Sequence, residues 1–171
     1  MTDRDEIEPL RMVKLNPDFK FEVAQTIDGK TVLKCFQCGI CSSSCPISDS
    51  LDVKPHQVIQ MVHLGARDIV LRSETIWICS TCFACNDRCP QGVEVGNVMF
   101  SLKNIAVREL GIPAGLKRLG QILLQNGRTV EIGDYENNER KEVGLPPAPR
   151  VDVDALKEIW SKTSLNRLLE R

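Results

Sequence analysis

The spacing of apolar side chains predicts a helix in the middle of the chain. From Pro55 onward, apolar residues recur every three or four positions as far as Val62, which is the period of one helix face. Proline suits the first turn of a helix because its missing N–H would have no partner there. Glycine is common just past the last turn, and Gly65 stands at that point. The pattern therefore predicts a helix from Pro55 to about His63.

Two more amphipathic stretches follow with the same period. One predicted helix carries an apolar face made of Val98, Leu102, Ile105, Ala106 and Leu110. Gly111 and Pro113 end this helix, since neither residue continues a helix easily. The next stretch closes at Asn126-Gly127 and carries Leu116, Leu119, Ile122 and Leu123.

The C-terminal third contains a polar segment, residues 127–150, with the run Pro146-Pro147-Ala148-Pro149, and we predict an extended connection there. A last helix is predicted from near Asp154, with an apolar stripe formed by Leu156, Ile159, Trp160, Leu165, Leu168 and Leu169. This stripe packs either on its own domain or in a groove of a partner protein, as amphipathic helices do in recognition. The sequence leaves both alternatives open.

The N-terminal segment shows a different period. Phe19, Phe21 and Val23 alternate with charged residues, and a period of two is typical of a strand. Asp28-Gly29 is a favourable hairpin turn, with residues 31–33 as the return strand. We therefore expect a mainly α protein with a short N-terminal β-hairpin. Its expected parts are a tail and hairpin at 1–34, a central domain at 35–111 and a helical extension at 112–171.

Eight cysteines point to the chemistry, because they form two copies of one motif and none is left over. The copies are Cys35-x2-Cys38-x2-Cys41-x3-Cys45-Pro46 and Cys79-x2-Cys82-x2-Cys85-x3-Cys89-Pro90. This is the spacing of bacterial ferredoxins that hold two [4Fe–4S] clusters. The chain is therefore predicted to bind two such clusters and to transfer single electrons.

In this spacing, the fourth cysteine of each motif serves the cluster of the other motif. Three cysteines at i, i+3 and i+6 can wrap three corners of one cube, whereas the fourth points away. The predicted ligands of the first cluster are Cys35, Cys38, Cys41 and Cys89. Those of the second cluster are Cys79, Cys82, Cys85 and Cys45. Such crossed ligation would tie the two halves together and bring the clusters close enough for electron transfer.

Other uses of the cysteines fit less well. Zinc sites normally separate their C-x2-C pairs, and disulfides are rare in a reducing cytoplasm. Residues 1–8 are acidic and lack the apolar stretch of a signal peptide. No apolar run approaches the roughly 20 residues of a membrane span, and no basic run indicates nucleic acid. Without a glycine-rich dinucleotide loop or a P-loop, the expectation is a cytoplasmic electron carrier with no catalytic residue of its own.

Residues beside the clusters are expected to set the reduction potential. Backbone N–H groups, including those of Gly39 and Ala84, can hydrogen-bond cluster sulfurs and raise the potential. The small serines at 42–44 would permit this close approach, and water would be excluded by Phe36, Ile40 and Phe83. Trp77 is interpreted as ordinary core, Arg88 as a balance for cluster charge, and the two histidines, His56 and His63, as surface or capping residues.

The central segment resembles the C-type subunit of heterodisulfide reductase. The likeness is carried by CFQCGICSSSCP at 35–46, by residues 55–61 with the glycine at 65, and by IWICSTCFACNDRCPQGV at 76–93. The Gly144-Leu-Pro stretch and the leucine-rich C-terminal helix are also similar to this family. The resemblance implies an α-helical ferredoxin fold, which also occurs in the iron–sulfur subunits of succinate dehydrogenase and fumarate reductase.

The resemblance also implies a role and partners. The C-type subunit would relay electrons from the A-type subunit, which holds flavin and iron–sulfur clusters, to the catalytic B-type subunit, whose site reduces the mixed disulfide of coenzymes M and B. A hydrogenase or formate dehydrogenase would supply the electrons indirectly in methanogenesis. The eight cysteines carry over as cluster ligands, whereas nothing here matches the flavin or disulfide sites. Since no B-like half follows in the sequence, the soluble three-subunit type is expected.

Other functions stay open at this point. Similar C-like subunits serve sulfur oxidisers and sulfate reducers, and a free dicluster ferredoxin has the same motifs. Against the free carrier stand the long segments outside the cluster domain. A quinone-linked dehydrogenase subunit would add a plant-type C-x4-C-x2-C segment, but residues 1–34 contain no cysteine. A structural zinc module would give no electron paramagnetic resonance (EPR) signal after reduction.

Overall fold

A computed structural model describes residues 14–149 and 151–163, and over these residues the chain is helical, with no β-strand. Its α-helices are α1 Phe19–Ala24, α2 Ile40–Ser43, α3 Pro55–Leu64, α4 Arg67–Arg72, α5 Thr75–Ile78, α6 Ala84–Asp87, α7 Val95–Leu110, α8 Ala114–Asn126, α9 Asp134–Glu142 and α10 Val153–Lys162. Two 3₁₀ turns lie at Val32–Lys34 and Ser48–Ser50. The expected mainly α fold class is confirmed. The chain divides into two compact units, Met1–Ala106 and Val107–Arg171.

The hydrophobic core lies in the N-terminal unit. α3 packs against both α1 and α4, and further core residues come from α5 and α7. Ile59 of α3 and Leu102 of α7 are both fully buried. Burial of one such side chain stabilises the fold by ~1.5–3 kcal/mol, so these helices hold the cysteine loops on a packed frame.

α3 begins at Pro55 and is capped by Gly65, as the sequence predicts. Gly65 has a φ of +79°, in the left-handed region, where a side chain is strained. A Cβ there would also collide with the Asn16 carbonyl, while the Asn16 N–H donates to the Gly65 carbonyl at 2.7 Å. Glycine is therefore required at the end of α3 for two independent reasons.

α7 is the long helix expected after the second motif, and it ends before Gly111. Its core face buries Val98, Leu102, Ile105 and Ala106, as predicted. Leu110, assigned to the same face, is instead 48% exposed, because the packing of this face ends one turn before the helix does.

The predicted N-terminal hairpin is wrong, because α1 occupies its first strand. Phe19 and Val23 are four residues apart and fully buried, whereas Phe21 between them is 47% exposed. One helix face thus reaches the core, and Arg67 holds it there with two hydrogen bonds to Glu22 at 2.9 Å. The supposed return strand is the 3₁₀ turn Val32–Lys34, whose Val32 is buried just before the first cysteine.

The C-terminal unit contains α8, α9 and α10, and none of these helices buries a side chain. α8 ends at Gly127 as predicted, and α10 packs on it. The predicted extended connection at 127–150 is partly wrong, because α9 forms within it. The Gly133 N–H donates to Glu136 Oε2 at 2.7 Å, which caps this helix by a side chain three residues ahead.

Two sequence predictions fall on parts of the chain outside the described residues. They are the acidic first residues and the end of the C-terminal stripe, formed by Leu165, Leu168 and Leu169. Among the helices that are described, none combines the length and apolar character needed to cross a membrane.

Candidate metal centre

Cysteines from both motifs line one cavity in the N-terminal unit. Cys45 of the first motif lies there with three cysteines of the second motif, Cys79, Cys82 and Cys85. The remaining wall is mostly apolar and includes Ile47, Leu51, Phe83, Val95 and Met99. The structure therefore brings together the four residues predicted to hold the second cluster.

A second cavity is lined by the other four cysteines, Cys35, Cys38, Cys41 and Cys89. Its wall also contains Phe36, Ile40, His56, Gln91 and Val93. Val95 lines both cavities, so the two sites are neighbours. The assignment of four cysteines to each cluster stays a prediction. That assignment requires these two groups of four cysteines to lie together, and each group lines one cavity.

Burial and crowding keep these thiols protonated in the absence of a metal group. Burial raises the pKa of the Cys41 thiol to about 11, and the neighbouring Cys35 and Cys85 add to this shift. Burial likewise raises the pKa of Cys85, with Cys79 adding to it. Only the thiolate binds metal, so loading releases protons from these groups and cancels the repulsion between them.

Cys41 and Cys85 belong to different cavities, yet they lie close enough to interact. Cys85 contributes to the raised pKa of Cys41. The short helices that carry them, α2 and α6, pack against each other. The third cysteines of the two motifs thus lie between the cavities, which gives a short protein path from one site to the other.

The two cysteine loops repeat the same unusual backbone. Gln37 and Thr81 each stand two residues after the first cysteine of their motif, with φ values of +65° and +53°. Gly39 and Phe83 each follow the second cysteine, with φ values of +80° and +61°. Left-handed residues turn successive backbone N–H groups toward one side, as anion-binding nests do. The internal repeat of the sequence is therefore also a repeat of conformation.

Phe83 is a costly member of this repeat, because a bulky residue is rarely left-handed. The first motif uses Gly39 at the equivalent position. Phe83 packs beside Phe100, with ring centroids 6.3 Å apart, and a Cβ on Gly96 would meet its ring at 2.9 Å. The aromatic ring therefore forms part of the wall of the second cavity at the expense of backbone strain, and its role in excluding water stays a prediction.

Hydrogen bonds reach two of the cysteine sulfurs at the first cavity. The Gln37 backbone N–H and its side-chain amide both donate to Cys35 Sγ at 3.4 Å. The Val93 N–H donates to Cys89 Sγ at 3.2 Å. Gly39 and Ala84, the predicted donors, line the first and second cavities respectively, and their hydrogen bonds to cluster sulfur stay a prediction.

Sequence reasoning missed Asp52, which joins the two motifs through the segment after Cys45. Its carboxylate accepts hydrogen bonds from the Ser73 hydroxyl at 3.0 Å, from the Glu74 N–H at 3.0 Å and from the Thr75 N–H at 2.8 Å. Desolvation raises the pKa of Asp52, but the hydrogen bonds outweigh it and lower the pKa to about 2. Asp52 thereby holds the start of α5, whose end leads into Cys79.

The two histidines have different roles. His63 Nε2 lies 2.9 Å from the Val32 carbonyl and anchors the turn before Cys35, which agrees with a structural interpretation. His56 instead lines the first cavity, and its Nδ1 lies 2.7 Å from Ser42 Oγ. Its position beside the candidate cluster follows from the packing of α2 on α3, which the sequence does not reveal.

Trp77 is placed as the sequence predicts, whereas the role of Arg88 in balancing cluster charge stays a prediction. Trp77 is partly buried against the core, and Arg88 is exposed.

Among the residues the structure describes, no three His, Cys, Asp or Glu side chains lie close enough to hold one metal ion. The cysteines instead surround cavities, and soft thiolates are the ligands that iron–sulfur clusters use.

Comparison with known proteins agrees with this site. Residues 31–93 match the family model of the 4Fe-4S dicluster domain. The chain is 32% identical over 150 residues to the C-type subunit of the H(2):CoB-CoM heterodisulfide,ferredoxin reductase of Methanothermobacter marburgensis, an alignment that covers 85% of this chain and 81% of the relative. The chain belongs to the family of heterodisulfide reductase C-type subunits. The chain binds two [4Fe–4S] clusters through its dicluster domain, and its role is electron transfer within an oxidoreductase complex. The assignment of the eight cysteines as the cluster ligands stays a prediction.

Other members of the family give the same result. The iron-sulfur C-type subunit of the CoB--CoM heterodisulfide reductase of Methanopyrus kandleri is 28% identical over 167 residues, which span 92% of this chain and 87% of the relative. A protein of Archaeoglobus profundus, named as like the C-type subunit of heterodisulfide reductase, is 29% identical over 153 residues, or 87% of this chain and 80% of the relative. The likeness thus extends from the cluster unit into the C-terminal unit.

Proposed function

We propose that this chain is the electron relay of a cytoplasmic heterodisulfide reductase complex. Electrons pass one at a time from an A-type subunit with flavin and iron–sulfur clusters, through the two clusters held here, to a catalytic B-type subunit. The catalytic subunit joins two electrons and two protons to the mixed disulfide of coenzymes M and B, which breaks its S–S bond and releases two thiols. The chain itself contributes no substrate site.

The observation that carries this proposal is the arrangement of the two cysteine cavities. Each is lined by three cysteines of one motif and one of the other, and Val95 belongs to both walls. In the proposed ligation, Cys89 completes the first cluster and Cys45 completes the second. The bound clusters supply reversible one-electron chemistry. The protein positions them side by side and shields them with apolar walls, which suits a relay with an entrance and an exit.

The C-terminal unit supports the second half of the proposal, namely a permanent place in a complex. Its helices bury no side chain, and Leu116, Leu119 and Ile159 are 46%, 42% and 61% exposed. We propose that the segment from 112 onward docks on another component of the reductase, which covers this apolar surface.

The upstream donor is proposed to be a hydrogenase or a formate dehydrogenase acting through the flavin-containing subunit. The name of the Methanothermobacter marburgensis relative gives H(2) as the donor of that protein's complex. An alternative is a C-like relay in a related sulfur-metabolising complex, for which the Archaeoglobus profundus relative, named only C-like, is the supporting observation.

Anaerobic affinity purification of the tagged chain from its native source tests this function. Mass spectrometry should identify a flavoprotein and a cysteine-rich protein in constant ratio, with about eight irons on this chain. The purified assembly should form thiols from the heterodisulfide when a reduced donor is added. A lone chain with the same iron content would indicate a free ferredoxin, and an assembly inactive on the heterodisulfide would favour the sulfur-metabolising alternative.

A further inference from the structure

The side chain of Gln37 contacts a cysteine sulfur of the first cavity. Gln37 stands two residues after Cys35, and its side-chain amide donates from Nε2 to Cys35 Sγ at 3.4 Å. The Gln37 backbone N–H donates to the same sulfur, also at 3.4 Å. The left-handed backbone at Gln37, with a φ of +65°, accompanies this double contact. One residue therefore supplies two donors to one predicted cluster ligand.

The direction of both hydrogen bonds follows from the chemistry of a ligand. A cysteine that binds iron is a thiolate, so its sulfur can accept a hydrogen bond but has no proton to donate. A backbone N–H can only donate. A primary amide can present its nitrogen or its oxygen, and a thiolate attracts the N–H and repels the oxygen. Cys35 Sγ is therefore the acceptor of both bonds when it holds a cluster.

The equivalent residue of the second motif points its donor elsewhere. Thr81 stands two residues after Cys79 and is also left-handed, with a φ of +53°. The Thr81 hydroxyl donates to the Ser80 carbonyl at 2.7 Å. Since a hydroxyl has one proton, this donor is not available to a cluster sulfur. At this position of the repeated loop, the first motif provides a side-chain donor to sulfur and the second motif does not.

We propose that Gln37 is a positioning residue that raises the reduction potential of the first cluster through its side-chain amide. A cluster gains one negative charge on reduction, and hydrogen bonds to its sulfurs help to set its potential. A donor interacts more strongly with the more negative form, so the Gln37 amide stabilises the reduced cluster more than the oxidised one. An electron shared between the two clusters therefore stays longer on the first. The proposal rests on the assignment of Cys35 to the first cluster made under the proposed function.

EPR-monitored redox titration of the full-length chain, loaded with both clusters, tests the role of Gln37. The signal of the first cluster is identified as the one altered by Cys38→Ser, a change at an exposed ligand. Gln37→Met keeps an unbranched side chain but removes the donor. At a fixed solution potential, the ratio of reduced to oxidised first cluster should fall roughly threefold in this variant. The potential of the second cluster should stay unchanged.

A charged variant separates loss of the donor from added charge. Gln37→Glu keeps the shape of the side chain and places a carboxylate beside the sulfur, so at low salt the same ratio should fall roughly tenfold. Salt screens a charge that is open to solvent, whereas it leaves the loss of a hydrogen bond in place. At about 1 M sodium chloride, the shift in Gln37→Glu should therefore approach that in Gln37→Met.

Gln91→Met is the matched control for these variants. Gln91 also lines the first cavity, but the structure gives its side chain no hydrogen bond with a described residue. The same substitution at this second glutamine removes an amide near the cluster without removing a donor to sulfur. Both potentials should therefore stay as in the wild-type chain.

Pulsed EPR gives a direct signature of the proposed hydrogen bond. The chain is prepared with glutamine that carries nitrogen-15 only in its side-chain amide, and the first cluster is reduced. A hyperfine coupling from an amide nitrogen should appear, disappear in Gln37→Met and remain in Gln91→Met. A purely structural role of Gln37 would not produce this pattern.

Three results would overturn the proposal. They are an unchanged first-cluster potential in Gln37→Met, an equal shift in Gln91→Met, and the absence of a nitrogen coupling that depends on Gln37. No partner protein or disulfide enters these measurements, so their failure would leave the electron-relay function of the chain to be judged by purification.

If Gln37→Met binds no first cluster, Gln37→Asn decides the question. Asparagine tolerates the left-handed backbone, but its side chain is shorter by about 1.5 Å, which takes the amide away from the sulfur. The first-cluster ratio should then show the same roughly threefold fall. A wild-type potential in Gln37→Asn, or loss of the first cluster in both variants, would mean that Gln37 has a structural role only.

Discussion

The two units of this chain are stabilised in different ways. The N-terminal unit has a packed core in which Phe19, Ile59, Ile76 and Leu102 are fully buried, and its cysteines meet in two cavities. In the C-terminal unit, α8 and α10 have apolar faces, and none of α8, α9 and α10 contains a buried residue. In the proposed complex, the first unit is completed by its cofactors, whereas the second is completed by another protein. A relay in a complex needs both properties, and this chain places them in separate segments.

The largest expected effect comes from removal of the clusters. Anaerobic chelation of iron should unfold much of the N-terminal unit, because α2 and α6 have four residues each and such short helices are unstable alone. Binding of structural metal can supply on the order of 10 kcal/mol. Far-ultraviolet circular dichroism should show a loss of helix that iron and sulfide restore. Unchanged helix content in the iron-free chain would mean that the core alone holds this unit.

Single ligand changes test whether the two motifs share their clusters. Cys45→Ala should destroy the second cluster, and Cys89→Ala the first, each reducing iron from about eight to about four per chain. Serine variants of other ligands identify which EPR signal belongs to which cluster: Cys82→Ser should alter the signal of the second cluster, and Cys38→Ser that of the first. If Cys45→Ala removed only the cluster altered by Cys38→Ser, the crossed assignment would be wrong.

A charged residue on the exposed apolar face of α8 tests the docking role. Leu119→Asp should weaken binding to the other components of the complex roughly 30-fold, since a central interface side chain contributes ~2 kcal/mol. The iron content should be unchanged, because no cysteine lies in this unit. Biolayer interferometry with the separated partner proteins measures the affinity.

The matched control is Gln121→Asp, which introduces the same residue at an exposed polar position of the same helix. It should bind normally. Equal weakening in both variants would point to unfolding of α8, and normal binding of Leu119→Asp would move the interface elsewhere.

The smallest expected effect comes from Asp52. Asp52→Asn keeps the shape of the side chain but removes the charge that accepts from Ser73, Glu74 and Thr75, so we expect a loss of ~1 kcal/mol. Faster release of iron in urea would measure it. Asp49→Asn is the control, because Asp49 is an exposed residue in the adjacent 3₁₀ turn.

The pH dependence of this difference follows from the pKa of Asp52, which falls from 3.8 to about 2 on folding. A lowered pKa gives stability that is present above the unfolded value and is lost as the pH falls from about 4 to about 2. The difference in stability between the wild-type protein and Asp52→Asn should therefore be constant from about pH 8 to pH 5. A stability difference that shrinks steadily across that range would mean that another titrating group causes it.

The cofactor was more predictable than the arrangement of helices around it, for a physical reason. Ligand spacing is a local property, so the cysteine pattern indicated the clusters without knowledge of packing. The segment from Phe19 to Val23 is too short for its period to distinguish strand from helix, and contact with α3 decided the outcome. α9 is almost wholly polar, so its helix is set by the Glu136 cap and helix propensity rather than by an apolar face. Asp52 and His56 were missed because their partners lie 14 to 23 residues away in sequence.

The central claim is that electrons bound for the disulfide pass through this chain, and rapid freeze-quench Mössbauer spectroscopy tests it most directly. The chain is loaded with iron-57, reassembled with its unlabelled partner proteins, reduced through the flavin-containing subunit and mixed with the heterodisulfide. The account predicts that the labelled clusters are reoxidised within one turnover, as thiols form. Thiol formation at full rate while the labelled clusters stay reduced would contradict it.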